Sequence, residues 1–378
     1  MAGGAAPPVR RALARVDLGA VRRNCEHLRS LLAGSAELCA VVKADGYGHG
    51  ALPCARAAQR GGATWLAVAT ADEAAGLRVD GIDCRILVQG ALTPEDMAAA
   101  VTAGADGVTW RESFVERLEE LASTGGPVRV HVKLDTGMGR LGTADPVEAR
   151  AVAERVAATP GLELAGVMTH FATADELGDD HFPRQLAAFT AFARDIKGAH
   201  PGVLAHAANS AATYRDAAAH FDLVRCGVAV YGLDPFQSDP NERGLEPALA
   251  LESYVAAVKP LAPGDSAGYG RRFIAAEATH IGVLPIGYGD GVRRALSGNA
   301  DVLVGGRRRP LVGTVSMDNI TVDLGPRTEV AEPETAVLIG AQGGERILCE
   351  EMARRLDTIN YEVTCGLTPR VVRVYEDG

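Results

Sequence analysis

No two cysteines in this chain stand as a Cys-x-x-Cys pair. The seven present, Cys25, Cys39, Cys54, Cys84, Cys226, Cys349 and Cys365, are odd in number and widely scattered. That pattern favours reduced thiols in a cytosolic compartment over a disulfide framework or a zinc site, and no metal is expected. No apolar run approaches the roughly 20 residues needed to span a bilayer, and the amino terminus lacks the apolar segment of a secretory signal. The first residues, small and proline-containing, read as disordered. A strong excess of one charge is also missing: 38 basic against 48 acidic residues give −10, with the signs interspersed. Neither nucleic acid nor an anionic membrane is therefore expected as a partner. One nucleotide signature is absent, the Gly-x-x-x-x-Gly-Lys-Ser/Thr loop. There is no internal repeat and no long low-complexity tract. What remains is a soluble, acidic, cytoplasmic protein of 378 residues, long enough for one barrel of about 250 residues and a smaller domain.

From Leu38 to Tyr231 short apolar runs alternate with longer amphipathic stretches. The runs Leu38–Val42, Thr64–Ala69, Arg85–Gln89, Gly107–Thr109, Val128–Leu134, Leu162–Thr169, Val203–His206 and Leu223–Val230 read as strands. The stretches between them read as helices, with Thr93 before Pro94 and Asp145 before Pro146 as caps. Eight such alternations predict an α/β fold, an N-terminal (β/α)8 TIM-type barrel, with an open doubly wound sheet as the alternative. A helix at Leu18–Leu32 precedes the first of these strands. Either the strand Arg15–Asp17 belongs elsewhere or the barrel begins on a helix. Beyond Tyr231 a Pro-, Asp- and Gly-rich linker leads into a pattern of strands and turns in which only Cys349–Leu356 is clearly helical. The expected division is a barrel over 14–245 and a C-terminal mostly-β domain over 246–378, with residues 1–13 a tail or a strand joining it.

The chemistry gathers at strand ends. The run Leu38 to Val42 stops on Lys43, followed by the glycine-rich turn Ala44–Gly50. A lysine amine attacks carbonyls only where its surroundings lower its pKa from about 10, as a desolvated pocket does. A second turn, Asp135–Gly142, offers Lys133, Asp135 and Arg140. Later strands end on His170, on Asn209-Ser210, and on the stretch Arg225–Gly232. Taken singly, each is ordinarily a cap or a surface charge. In a parallel barrel, however, all these ends open on one face, where active sites are assembled. Asn209-Ser210 and Gly227-Val228 suit an anion such as a phosphate. A phosphate cradle with a reactive lysine points to pyridoxal phosphate, which also needs a partner for its ring nitrogen.

In the β region Ser266–Arg271, Val315–Asn319 and Asn360–Glu362 stand out, although each tyrosine there, taken alone, is ordinarily packing. Together these motifs, over about Arg15 to Tyr375 and in the same order, resemble the alanine racemase family of pyridoxal-phosphate enzymes. The resemblance implies Lys43 as the cofactor lysine and one catalytic base, and Tyr269 as the other. It implies a cofactor pocket of Tyr47, His170, Asn209, Ser210, Arg225, Gly227, Val228 and Tyr361. Arg140 and the Met317 backbone N–H would meet the substrate, and Lys133 would be a carbamylation site. Gly46 and Gly268 stand where a larger side chain is expected, which implies a looser pocket mouth. The implied reaction interconverts L- and D-alanine by proton transfer on two faces of the cofactor-bound amino acid, supplying D-alanine for peptidoglycan. The implied assembly is a homodimer sharing its active sites. An arginine beside the ring nitrogen, where other enzymes place an acid, would leave that nitrogen unprotonated and disfavour transamination. A racemase of serine or broader specificity and a pyridoxal-phosphate amino-acid decarboxylase are the alternatives.

Overall fold

The structure, a computed structural model, describes residues 10–122 and 127–377. The start of the tail expected to be disordered, Met1 to Val9, lies outside the described residues. The chain forms two compact units, one comprising the residues up to Ala20 together with Gln237 onward, the other Val21–Phe236. The earliest strand, β1 (Leu13–Asp17), belongs to the first of these, and the helix Leu18–Ser30 carries the chain into the second.

The second unit is the barrel. Its strands are β2 (Glu37–Val41), β3 (Trp65–Val68), β4 (Arg85–Val88), β5 (Gly107–Thr109), β6 (Val128–Lys133), β7 (Leu162–Met168), β8 (Leu204–His206) and β9 (Leu223–Cys226). All pairings between them are parallel, in the orders β4-β3-β2-β9 and β5-β6-β7-β8. Two seams close the ring. The N–H of Val88 donates to the carbonyl of Asp106 at 2.9 Å, and that of Arg225 to Ala208 at 2.9 Å. Covered on both faces, the strands are continuous apolar runs rather than alternating ones. Cys39, Val41, Trp65, Ala67, Leu87, Val108, Met168 and Leu223 share one core cluster. The caps read from the sequence are in place: Thr93 Oγ1 accepts from the Asp96 N–H at 3.2 Å and Asp145 Oδ1 from Val147 at 2.8 Å.

The run from Leu223 does not extend as a strand to Val230. It stops at Cys226, and Val228–Tyr231 is a short 3-10 helix. At Gly227 the backbone turns to φ −106°, ψ −88°, and its carbonyl accepts the Val230 N–H. Apolar content alone did not distinguish a buried helical turn from a buried strand.

The other unit is built on strands. They are β10 (Leu249–Val255), β11 (Ala257–Leu261), β12 (Ser266–Ala267), β13 (Phe273–Ile274), β14 (Thr279–Leu284), β15 (Asp301–Val304), β16 (Arg307–Val312), β17 (Ile320–Gly325), β18 (Glu334–Gln342), β19 (Glu345–Ile347) and β20 (Val372–Glu376). A ten-stranded sheet runs β11-β14-β17-β16-β15-β18-β10-β1-β20, with β19 beside β18. Strand β1 pairs antiparallel with β10, Leu13 opposite Glu252, and parallel with β20, Leu13 opposite Val372. That settles the placement of Arg15–Asp17: it is a sheet strand, outside the barrel. Besides Cys349–Leu356, a second helix spans Asn360–Cys365 and carries Tyr361.

Candidate active site

Lys43 stands two residues beyond the end of β2, half-buried, and the chain then does something unusual. Ala44, Asp45, Gly46 and Tyr47 all adopt left-handed backbone, with φ of 53°, 52°, 61° and 53°. Such a run is rare, because each non-glycine residue in that region costs about 1–2 kcal/mol. Side chains hold it in place. The Ala44 N–H donates to Glu73 Oε1 at 2.7 Å, and Asp45 Oδ1 accepts from the Ala51 N–H at 2.9 Å. Tyr231, fully buried, donates its hydroxyl to the Val41 carbonyl at 3.0 Å and stacks on His49. Gly46 is itself buried, its missing side chain facing the Ala51 backbone, so it belongs to this turn and not to a loose pocket mouth.

Arg225, in β9, is 3% exposed. Its Nη2 donates to the carbonyls of Thr169 at 2.8 Å and Ala207 at 3.1 Å, and lies 3.4 Å from Nδ1 of His170. Its Nη1 lies 2.9 Å from Nδ1 of His206. Only Nε, buried, has no hydrogen-bond partner. Burial brings the guanidinium down to about 10.

Lys133, the last residue of β6, is 4% exposed, and desolvation with the charges of Arg225, Arg140 and Lys43 lowers its amine to about 8. The same desolvation and cations, Arg225 foremost, push His170 well below its ordinary value. The fold thus brings Lys43, Lys133, Arg140, His170 and Arg225 within electrostatic reach of one another. It also makes His170 a neutral ring and not a source of positive charge.

The anion cradle read from the sequence takes a definite form. Asn209 caps the helix Ser210–Arg215, its Oδ1 accepting from the Ala212 N–H at 2.9 Å. The hydroxyl of Ser210 accepts the N–H groups of Gly227 at 3.1 Å and Ala229 at 3.4 Å. A Cβ on Gly227 would stand 2.3 Å from the hydroxyl of Tyr47. Glycine there lets the Tyr47 ring reach the cradle. Val228 is buried beside it.

In the β unit Tyr269 follows Gly268 (φ 73°), its carbonyl accepting from Thr314 Oγ1 at 2.8 Å, and its side chain is 74% exposed. Met317 is 51% exposed, in a turn held by the Gly289 N–H donating to its carbonyl at 2.9 Å. Tyr361 is half-buried; its neighbour Asn360 is buried and donates to Glu350 Oε1 at 2.8 Å.

Sequence reasoning missed Glu73, which anchors the turn after Lys43, and the histidines behind Arg225. His131 and His206 sit inside apolar strands, where an inward polar residue was the available signal.

The unpaired donor of Arg225 calls for an acceptor in a dry place, and an unprotonated pyridine nitrogen is one. With a strand-end lysine and a Ser–Gly cradle around the same mouth, the residues fit pyridoxal phosphate and define a barrel enzyme of that cofactor class. The known proteins narrow the class. A family model for the alanine racemase N-terminal domain matches residues 16–235, and one for the alanine racemase C-terminal domain matches 248–375. The alanine racemase of Symbiobacterium thermophilum is 42% identical over 96% of this chain and 96% of its own. Among solved structures, the alanine racemase from D-cycloserine-producing Streptomyces lavendulae superposes with a TM-score of 0.92 at 38% identity, covering 99% of this chain and 98% of that one. The Bacillus anthracis enzyme, solved with bound L-Ala-P, gives 0.89 at 37%, covering 98% and 96%. The chain belongs to the alanine racemase family.

Proposed function

We propose that this protein interconverts L-alanine and D-alanine in the cytoplasm, as a homodimer, to supply D-alanine for peptidoglycan. The observation that carries the reading is Arg225, buried at the mouth that Lys43 opens on, with its Nε–H without a partner. Pyridoxal 5′-phosphate, when bound, supplies the electron withdrawal that acidifies the hydrogen on the amino acid's Cα. Lys43 holds the cofactor and moves a proton at one face of Cα; Tyr269 moves one at the other. Two fixed bases spare a single base from crossing the ring plane. Arg225 turns Nε–H to the ring nitrogen and, as a permanent donor, keeps it from gaining a proton. Ser210, Asn209 and the N–H of Val228 receive the phosphate, with the hydroxyls of Tyr47 and Tyr361, while Gly227 leaves room for the Tyr47 ring and its N–H holds the Ser210 hydroxyl. His170 walls the ring as a neutral imidazole. Arg140 and the Met317 N–H hold the substrate carboxylate. Lys133, its neutral amine accessible near pH 8, adds carbon dioxide and releases a proton, and the resulting carbamate accepts hydrogen bonds from Arg140.

The exposure of Tyr269 and Met317 supports their being lent to the barrel of a second copy. The barrel domain then carries the cofactor and the β domain the second base.

The test is the visible spectrum before and after borohydride, with loss of optical rotation followed for L-alanine and L-serine. A chromophore fixed onto Lys43 with racemisation of alanine supports the reading. A chromophore without racemisation moves it to a decarboxylase. The shared site is tested by mixing two inactive variants, Lys43→Ala and Tyr269→Phe. Exchange of subunits restores about a quarter of the sites if bases are shared across a twofold axis, and none if each chain completes its own.

A further inference from the structure

Behind Arg225 runs a line of buried polar groups that the proton transfers do not use. His206 presents Nδ1 to Arg225 Nη1 at 2.9 Å and Nε2 to Nδ1 of His131 at 2.8 Å. His131 in turn presents Nε2 to Oδ2 of Asp106 at 3.1 Å. All three side chains are fully buried. Asp106, just ahead of β5, is held at its far side by Arg129 Nε, 2.7 Å from Oδ1, and by Arg85 at Oδ2, the oxygen that also meets His131. Arg85 is itself seated over the Trp65 ring, 4.0 Å from its centroid. The barrel makes room for this line. A Cβ on Gly166 of β7 would lie 2.3 Å from His131 Nδ1, and the pairing of β6 with β7 shifts register between Val130 and His131.

The proton directions follow from a single fact: a guanidinium donates and never accepts. Nδ1 of His206 must therefore be the bare nitrogen, and its proton sits on Nε2. That Nε2–H donates to His131, whose Nδ1 is bare in turn. The proton of His131 sits on Nε2 and points at a carboxylate that only accepts. Burial, with the cations Arg225 and Arg85, holds both rings neutral, overcoming the pull of Asp106 on His131 and with Lys133 adding to the field on His206, while the His131 hydrogen bond, Arg129 and Arg85 keep Asp106 ionised against its burial. Each link admits one arrangement, and Asp106 is the end that fixes the sense of the chain.

We propose that Asp106, acting through His131 and His206, is a positioning residue that locks both histidines as Nε2–H tautomers and so aims the remaining donor of Arg225 at the cofactor's ring nitrogen. This rests on the assignment of Arg225 to that nitrogen. With Nη1 fixed by His206 and Nη2 by the Thr169 and Ala207 carbonyls, the guanidinium has one orientation. Without the carboxylate, His131 can carry its proton on Nδ1, which sets N–H against N–H and passes the conflict along to Arg225.

The experiment is proton–nitrogen correlation of the holoenzyme labelled at histidine nitrogens, on wild type, Asp106→Asn, His131→Phe and His131→Gln, with the cofactor's visible spectrum and kcat read alongside. In the wild type both rings are neutral Nε2–H tautomers that do not titrate between about pH 5.5 and 9, outside the usual histidine range. His131→Phe and Asp106→Asn change the state of His206, move the cofactor's absorption and lower kcat about 10- to 100-fold, the loss typical when an outer partner of a site ligand is removed. His131→Gln, whose carbonyl accepts from His206 while its amide donates to Asp106, recovers most of the rate and the spectrum. An Nδ1–H tautomer on either ring of the wild type overturns the proposal without recourse to any variant. So does a folded His131→Phe enzyme with wild-type spectrum and kcat. A wild type that does not racemise alanine fails the proposed function instead, and leaves the tautomer result standing.

Discussion

Arg225 and His170 meet in a contact that only one of them can donate: Nη2 of the arginine lies 3.4 Å from Nδ1 of the histidine. Nδ1 of His170 therefore faces the guanidinium bare, sharing at most an Nη2 hydrogen already given to a carbonyl, and the proton of the neutral ring is on Nε2. A neutral His170 cannot supply positive charge to a neighbouring base; under the proposed two-base reading the cation left for Tyr269 is Arg140.

The neutral histidines set an acid limit on stability. His131, His170 and His206 all have folded values depressed by burial. Below the unfolded value of about 6.5 the unfolded chain binds protons that the folded one refuses, so their contribution is complete above that pH and is lost as the pH falls. Each adds at most about 1.4 kcal/mol per pH unit, roughly 4 for the three. Urea midpoints taken from about pH 7.5 to 5.5 will show this slope. His170→Asn will remove about a third of it, and an unchanged slope would show that His170 is not buried neutral.

Exchanging Arg225→Glu puts a proton donor where a permanent cation stood, and frees two buried carbonyls, those of Thr169 and Ala207. Slower racemisation with more transamination per turnover is expected, together with a stability loss of about 2–5 kcal/mol. Arg225→Lys keeps the charge but loses the fork, and will lose stability without raising transamination. Equal partitioning in wild type and the glutamate variant, measured as pyruvate formed per racemisation, would reject the role given to Arg225.

The barrel was legible because parallel strands covered on both faces leave uninterrupted apolar runs, and each run here was followed by a capped helix. The strand-end groups Lys43, Lys133 and Arg225 were legible for the same reason, since each closes or interrupts such a run. The turn from Ala44 to Tyr47 was not, because nothing in Lys-Ala-Asp-Gly-Tyr announces left-handed backbone at alanine and aspartate; it is imposed by Glu73 and Ala51. Asp106 was hidden likewise. Its neighbours in sequence are unremarkable, and its partners Arg85, Arg129 and His131 come from two other strands. The placement of β1 in a sheet with β10 and β20 rests on contacts more than 200 residues away in sequence, which no local pattern encodes.

Lys133 will take up carbon dioxide readily because its amine titrates at about 8. At pH 7 about a tenth of it is neutral, against fewer than one in a thousand for an ordinary lysine. Enzyme equilibrated with isotopically labelled bicarbonate will show one carbamate resonance, absent from Lys133→Arg. That variant will retain the cation, repel Arg140 and lose about tenfold in kcat/KM for alanine. Wild-type kinetics in Lys133→Arg, or a resonance that survives the substitution, would place the carbamate elsewhere.

The strain after Lys43 predicts an inverted ranking at residue 44. Ala44 has φ 53° and ψ 50°, flanked by Asp45 and Gly46 in the same region. Glycine at 44 would relieve about 1–2 kcal/mol of steric cost and give back about 0.5–1 through the greater freedom of the unfolded chain. Ala44→Gly is therefore expected to be neutral or to stabilise by up to about 1.5 kcal/mol, against the usual penalty for glycine. Valine is β-branched and excluded from this region; Ala44→Val should lose more than about 2 kcal/mol. Since the turn hangs on the Ala44 N–H bond to Glu73, the valine variant should also lower kcat by displacing Lys43. Thermal unfolding of the holoenzymes gives the ranking directly: glycine at or above alanine, valine well below. A ranking with glycine least stable would mean that residue 44 is not left-handed in solution, and the account of how Lys43 is aimed would have to be rebuilt on a different turn.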